Sequence, residues 1–127
     1  MVQLLFILQA LLMNWYITKI VFNISAENST AKSQFDEQLL LITADCKEEA
    51  FIKARILGLS KEDSFYNDKL KQVKWEFVNV SEVLPLKNLE DGIELYSRIH
   101  ETEEGHSYIN FIHQKAIAIR LNACPSC

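Results

Sequence analysis

Residues 15–24 read Trp15-Tyr-Ile-Thr-Lys-Ile-Val-Phe-Asn-Ile24, a run dominated by aromatic and β-branched side chains. Such residues fit a pleated strand better than a helix. Alternation places Tyr16, Thr18, Ile20, Phe22 and Ile24 on one face and Trp15, Ile17, Lys19, Val21 and Asn23 on the other. Both sets are largely apolar, so the run predicts a strand covered on both faces and central in its sheet.

Outward from this strand, the polar residues 25–34 predict a loop, and residues 35–44 predict a second strand ending in Leu39-Leu-Leu-Ile42. The pair reads as a hairpin with a long loop. Asp45 with Glu48 three positions on has the spacing of a helix N-cap and its reciprocal partner. The helix that follows carries an apolar stripe of Ala50, Phe51, Ala54 and Leu57, and Gly58 is placed to end it in a left-handed cap. Residues 59–71 read as loop, anchored by Leu59, Phe65 and Tyr66.

Val73, Trp75 and Phe77 alternate with Lys74 and Glu76 in a third strand, whose register shifts at Val78 and Val80 as a bulge near Phe77 would make it. Pro85 and the Asp91-Gly92 turn bound another loop. Ile93, Leu95, Ser97 and Ile99 then alternate as a fourth strand. Acidic residues 101–104 lead into a last helix from about Ser107, with Ile109, Ile112, Ala116 and Ile119 on one face, and Pro125 ends any helix. The order β-β-α-β-β-α predicts an α+β fold, an antiparallel sheet of about four strands with two helices packed on one face.

The chain has 127 residues, 49% of them hydrophobic, which suits one domain with a proper core. We place that domain at residues 14–120, between an apolar extension at 1–13 and a tail at 121–127. The extension places Leu4, Leu8, Leu11 and Leu12 at helical spacing and predicts a short N-terminal helix. It is too short to span a bilayer and has neither the basic start nor the cleavage site of an export signal. Met13 is an alternative natural start, since the first strand begins right after it.

Lys plus Arg is 13 against 17 Asp plus Glu, a net charge of −4 with dispersed cations, so nucleic-acid binding is not expected. Three cysteines at irregular spacing do not make a secreted disulfide framework, and a reducing cytoplasm follows as the expectation. Three glycosylation triplets, at Asn23, Asn28 and Asn79, carry weight only in a secretory lumen.

From Met13 to about Arg120 the sequence resembles an uncharacterised bacterial family, the domain of unknown function 4288. The resemblance rests on NWYITKIVF (residues 14–22), QFDEQL (34–39), EEAF (48–51) with Lys53-Ala54 and Leu57-Gly58, Asp63-Ser64-Phe65, VKWEFV (73–78) and DGIELYSRI (91–99). It implies a compact domain and carries no established activity.

Few residues point to chemistry. Cys124 and Cys127 form a C-x-x-C pair, but no helix follows to lower a thiol pKa and no second motif completes a zinc site, leaving His100 and His106 as weak metal candidates. The segment 100–106 combines two histidines with three glutamates, which suits a solvated linker and could also hold a divalent cation. Glycine-rich phosphate loops and Gly-x-Ser-x-Gly elbows are absent from the sequence.

Asp36, Glu37 and Gln38 interrupt an apolar strand, and Glu94, Tyr96 and Arg98 share one face of the expected fourth strand. If those strands are neighbours, Arg98 pairs with Asp36 or Glu37 across the sheet. With Trp75 these residues make the candidate ligand or partner surface. The expectation is a small non-enzymatic cytoplasmic module needing no cofactor, which binds a protein partner or a second copy of itself. The alternative is a small enzyme or ligand binder using the acidic residues with Arg98, around a divalent metal.

Overall fold

The computed structural model describes residues 2–5, 14–30 and 32–122. The chain divides into two compact units, Met1–Leu95 and Tyr96–Cys127. In the first, β1 (Asn14–Ala26), β2 (Gln34–Ala44), α1 (Lys47–Ser60), β3 (Asp63–Tyr66) and β4 (Gln72–Leu86) follow in order. The sheet is antiparallel throughout, in the order β2-β1-β4-β3. Helix α1 lies across β4, β1 and β2. Helix α2 (Gly105–Leu121) is the regular element of the second unit, and none of its residues is buried. The α+β class and the β-β-α-β-β-α order stand, and residues 2–5 are helical. Leu8, Leu11 and Leu12 of the expected N-terminal helix lie outside the described residues, as do Cys124, Pro125 and Cys127.

β1 is central, as its doubly apolar pattern predicts. Its even positions Tyr16, Ile20 and Phe22 form the core beneath α1 with Ile42, Ala44, Ala50, Ala54 and Val83, and Ile20 and Phe22 are fully buried. Thr18 is buried among them and donates its hydroxyl to the Leu40 carbonyl at 3.3 Å, so the polar atom is satisfied. The expected bulge is present. The β1–β4 register shifts between Val21 and Phe22, leaving out Val78, and again between Lys19 and Ile20, leaving out Ser81.

α1 meets the sheet through small residues. Ala50, Ala54 and Gly58 are its buried positions, while Leu57 stays partly exposed. A Cβ at Gly58 would run into the Phe77 ring, so glycine is required by close approach inside the helix rather than by a left-handed end. The helix continues to Ser60. Its N-cap is Cys46, one residue later than expected, and Glu49 instead of Glu48 reaches back to the Asp45 amide at 3.4 Å.

The fourth strand falls elsewhere than the sequence suggests. Residues 93–100 form no strand, and residues 63–66, read as loop, pair with Gln72–Trp75 as β3. The cause is local turn chemistry at Asn67. Its side-chain oxygen accepts from the Lys69 and Lys71 amides at 2.9 and 3.0 Å, and its own amide donates to the Lys71 carbonyl. That closes a hairpin where no glycine marks one. Pro85 lies within β4 instead of ending it. β3 covers only the start of β4, so at Pro85 that strand is an edge, where a missing amide costs no ladder bond.

Candidate functional site

Because α1 covers one face of the sheet, strand periodicity turns alternate residues to the other, where Ile17 and Leu86 are buried while Leu39, Leu41 and Leu84 are half-exposed. The residues of that face come from the odd positions of β1 and β2 and their partners on β4. Register places Trp15 beside Leu86 and Thr43, Ile17 beside Leu84 and Leu41, and Lys19 beside Glu82 and Leu39. Farther along, Val21 stands between Glu37 and Asn79, and Asn23 between Phe35 and Glu76. The face therefore grades from apolar to charged along the strands.

At the apolar end Ile17, Leu39, Leu41 and Leu86 with Leu89 and Leu95 line an open hollow of about 180 Å³. Leu89 and Leu95 reach it from the irregular segment after β4. Leu39 and Leu41 stand 50% and 49% exposed on β2, an edge strand among the described strands. With hardly a polar atom in its walls, the hollow suits an aliphatic or aromatic side chain and offers no group to polarise a bond. Lys19 and Glu37 form an ion pair at 3.5 Å in the middle of the face. Its far end is a polar recess of about 230 Å³ between Ser25, Glu27, Gln72, Lys74 and Glu76.

The residues picked from sequence divide between faces and units. Asp36, Gln38 and Trp75 come together on the helix side, where one Asp36 carboxylate oxygen accepts from Gln38 Nε2 at 2.6 Å and Trp75 Nε1 at 3.3 Å. Phe65 stacks on Trp75, and Lys61 donates to the Gln38 side-chain carbonyl at 3.3 Å. This network ties β2 to β4 and to the end of α1. Glu37 points to the opposite face with Lys19. The condition for Arg98 to pair across the sheet is not met, since residues 93–100 make no strand and the neighbour of β2 is β1.

Glu94 is exposed in the segment after β4. Tyr96, Arg98, His100 and His106 belong to the second unit, where the His100 ring stacks on Tyr108 with centroids 5.0 Å apart. Lys115 lies over the Phe111 ring there at 4.9 Å. Among the described residues no group of three or more His, Cys, Asp or Glu is placed to hold a metal ion, and no helix is long and apolar enough to cross a membrane. The leucines of the hollow carry no polar group that would mark them in the sequence. Their signal is the half-exposed alternation of Leu39 and Leu41 on a strand whose other face is core.

No curated protein and no solved structure matches the chain. Residues 15–97 match a domain of unknown function (DUF4288), a span that closes two residues beyond the first unit and takes in α1 and all of the sheet but Asn14. With most of its length in that match, the chain belongs to the DUF4288 family.

Proposed function

We propose that the chain is a non-enzymatic protein-interaction module, with residues 14–120 as its working domain, that receives an apolar surface on the uncovered face of its sheet. The observation that carries this reading is the leucine hollow beside half-exposed Leu39 and Leu41. An exposed apolar patch rimmed by polar residues is what an interaction site presents. The rim here is the Lys19–Glu37 pair and the recess around Lys74 and Glu76. A reducing, cytoplasmic setting fits the exposed free thiol of Cys46. Dispersed cations leave nucleic acid out as the partner.

A photoreactive amino acid placed at Leu41, compared in the native host with one at Lys74 on the polar end, tests the reading. A discrete protein adduct at Leu41 and none at Lys74 is the expected result. Failure to capture any protein at Leu41 would overturn it. So would a melting-temperature rise of several degrees with a divalent ion or metabolite, because a ligand bound only by the folded state marks a ligand-binding protein.

A further inference from the structure

We propose that the partner received on this face is a basic amphipathic segment of another protein, an aliphatic or aromatic anchor flanked by lysine or arginine. The proposal rests on the interaction reading above and adds the chemistry of the partner.

The hollow takes the anchor, and the charges beside it choose the flanks. Leu89 and Leu95, which reach the hollow from the segment after β4, are 64% and 52% exposed. Between them the chain carries Glu90, Asp91 and Glu94, all exposed, and the cation next to them in sequence is Lys87. A turn holds this acidic run between the two leucines: the Ile93 amide donates to the Glu90 carbonyl at 3.1 Å, with Gly92 at a φ of 84°. On the sheet, Glu37 stands two residues from Leu39 on the same face, and register sets Glu82 on the other side of Lys19.

The elements that wall the hollow therefore bring five carboxylates against two ammonium groups, Lys19 and Lys87. Lys19 lies 3.5 Å from Glu37, and one ammonium cannot neutralise both Glu37 and Glu82. The polar end of the face repeats the imbalance, with Glu27 and Glu76 beside Lys74. An apolar seat inside an acid-rich rim favours a cationic segment and repels an acidic one, because rim charges set partner choice and encounter rate. The same excess opposes a second copy seated face to face, since each copy would bring it, and opposes the anionic surfaces of lipid and nucleic acid.

Fluorescence anisotropy of the full chain with a labelled amphipathic peptide of leucine and lysine should show binding in the micromolar range. The analogue with glutamate for lysine should bind at least about tenfold more weakly. Glu90→Lys with Glu94→Lys should weaken the lysine peptide about tenfold, and rising salt should do the same to the original chain. Leu39→Thr with Leu41→Thr should weaken it as well by opening the wall of the hollow. Glu48→Lys with Asp63→Lys makes the same change in net charge on the α1 side of the sheet and should leave binding unchanged. In the native host, the protein segment joined to a photoreactive amino acid at Leu41 should hold more lysine and arginine than aspartate and glutamate.

A lysine peptide that fails to bind, binds no better than its glutamate analogue, or ignores Glu90→Lys with Glu94→Lys overturns the basic partner. So does an adduct with an acidic or neutral segment, with a second copy or with α2, although an adduct on another protein leaves the interaction reading standing. No protein adduct at Leu41 removes that reading and this proposal together.

Discussion

At the level of single residues the packing of α1 on the sheet is decided at Gly58. Helix propensity alone favours alanine there by about 1 kcal/mol. An added methyl must displace the Phe77 ring, which is held edge-on to the fully buried Phe22 at 5.9 Å. Overpacking of this kind costs about 1–3 kcal/mol, so the steric effect wins and Gly58→Ala should lower stability in urea unfolding. Phe77→Leu in the same chain should recover part of the loss by making room. Leu70 presents the opposite case. Its φ of 59° lies in the left-handed region while its side chain is 82% exposed, so nothing in the packing repays the strain of about 1 kcal/mol. Leu70→Gly should raise the urea midpoint, with a net gain of about 0.5 kcal/mol after the added freedom of the unfolded chain. Asp36→Ala should cost about 1 kcal/mol by leaving the part-buried Trp75 indole without its acceptor, and tryptophan emission should shift with it.

At the level of elements, what the sequence makes legible follows from how local its cause is. β1 is readable because its own residues are apolar on both faces, and the bulge because Val78 and Val80 break an alternation visible in the chain. β3 and the start of α1 are not, since Asn67 and Glu49 act through side-chain bonds to amides that composition does not show. The alternation at residues 93–99 matches the strand pattern and still makes none, because a strand also needs a paired edge. For the site, the sequence shows Asp36, Glu37 and Gln38 interrupting an apolar strand and says nothing of which face each side chain takes. Face assignment depends on register, and register is a relation between strands. The open face of β2 gives the prediction at this scale. Leu39→Thr with Leu41→Thr keeps β-forming residues at half-exposed positions, so stability should change by less than about 1 kcal/mol. Binding of an apolar dye should fall, because the wall of the hollow loses two of its leucines.

For the whole molecule, burial is concentrated to a degree that sets how it unfolds. Every buried hydrophobic residue among those described lies between Tyr16 and Leu86. α2 is 17 residues long with none of them buried. A helix of that length without tertiary burial is marginal in water, since its nucleation cost is met by few hydrogen bonds. Stability therefore resides in the sheet and α1. A chain ending at residue 97, the limit of the family match, should unfold in one cooperative transition with its midpoint within about 5 °C of the full chain, the shift that corresponds to roughly 1 kcal/mol in a domain of this size. A peptide of residues 100–122 should show weak helical circular dichroism and no cooperative melt. If the shortened chain instead lost its transition, a part of the core would have to lie beyond residue 97, and the concentration of burial described here would not account for the fold.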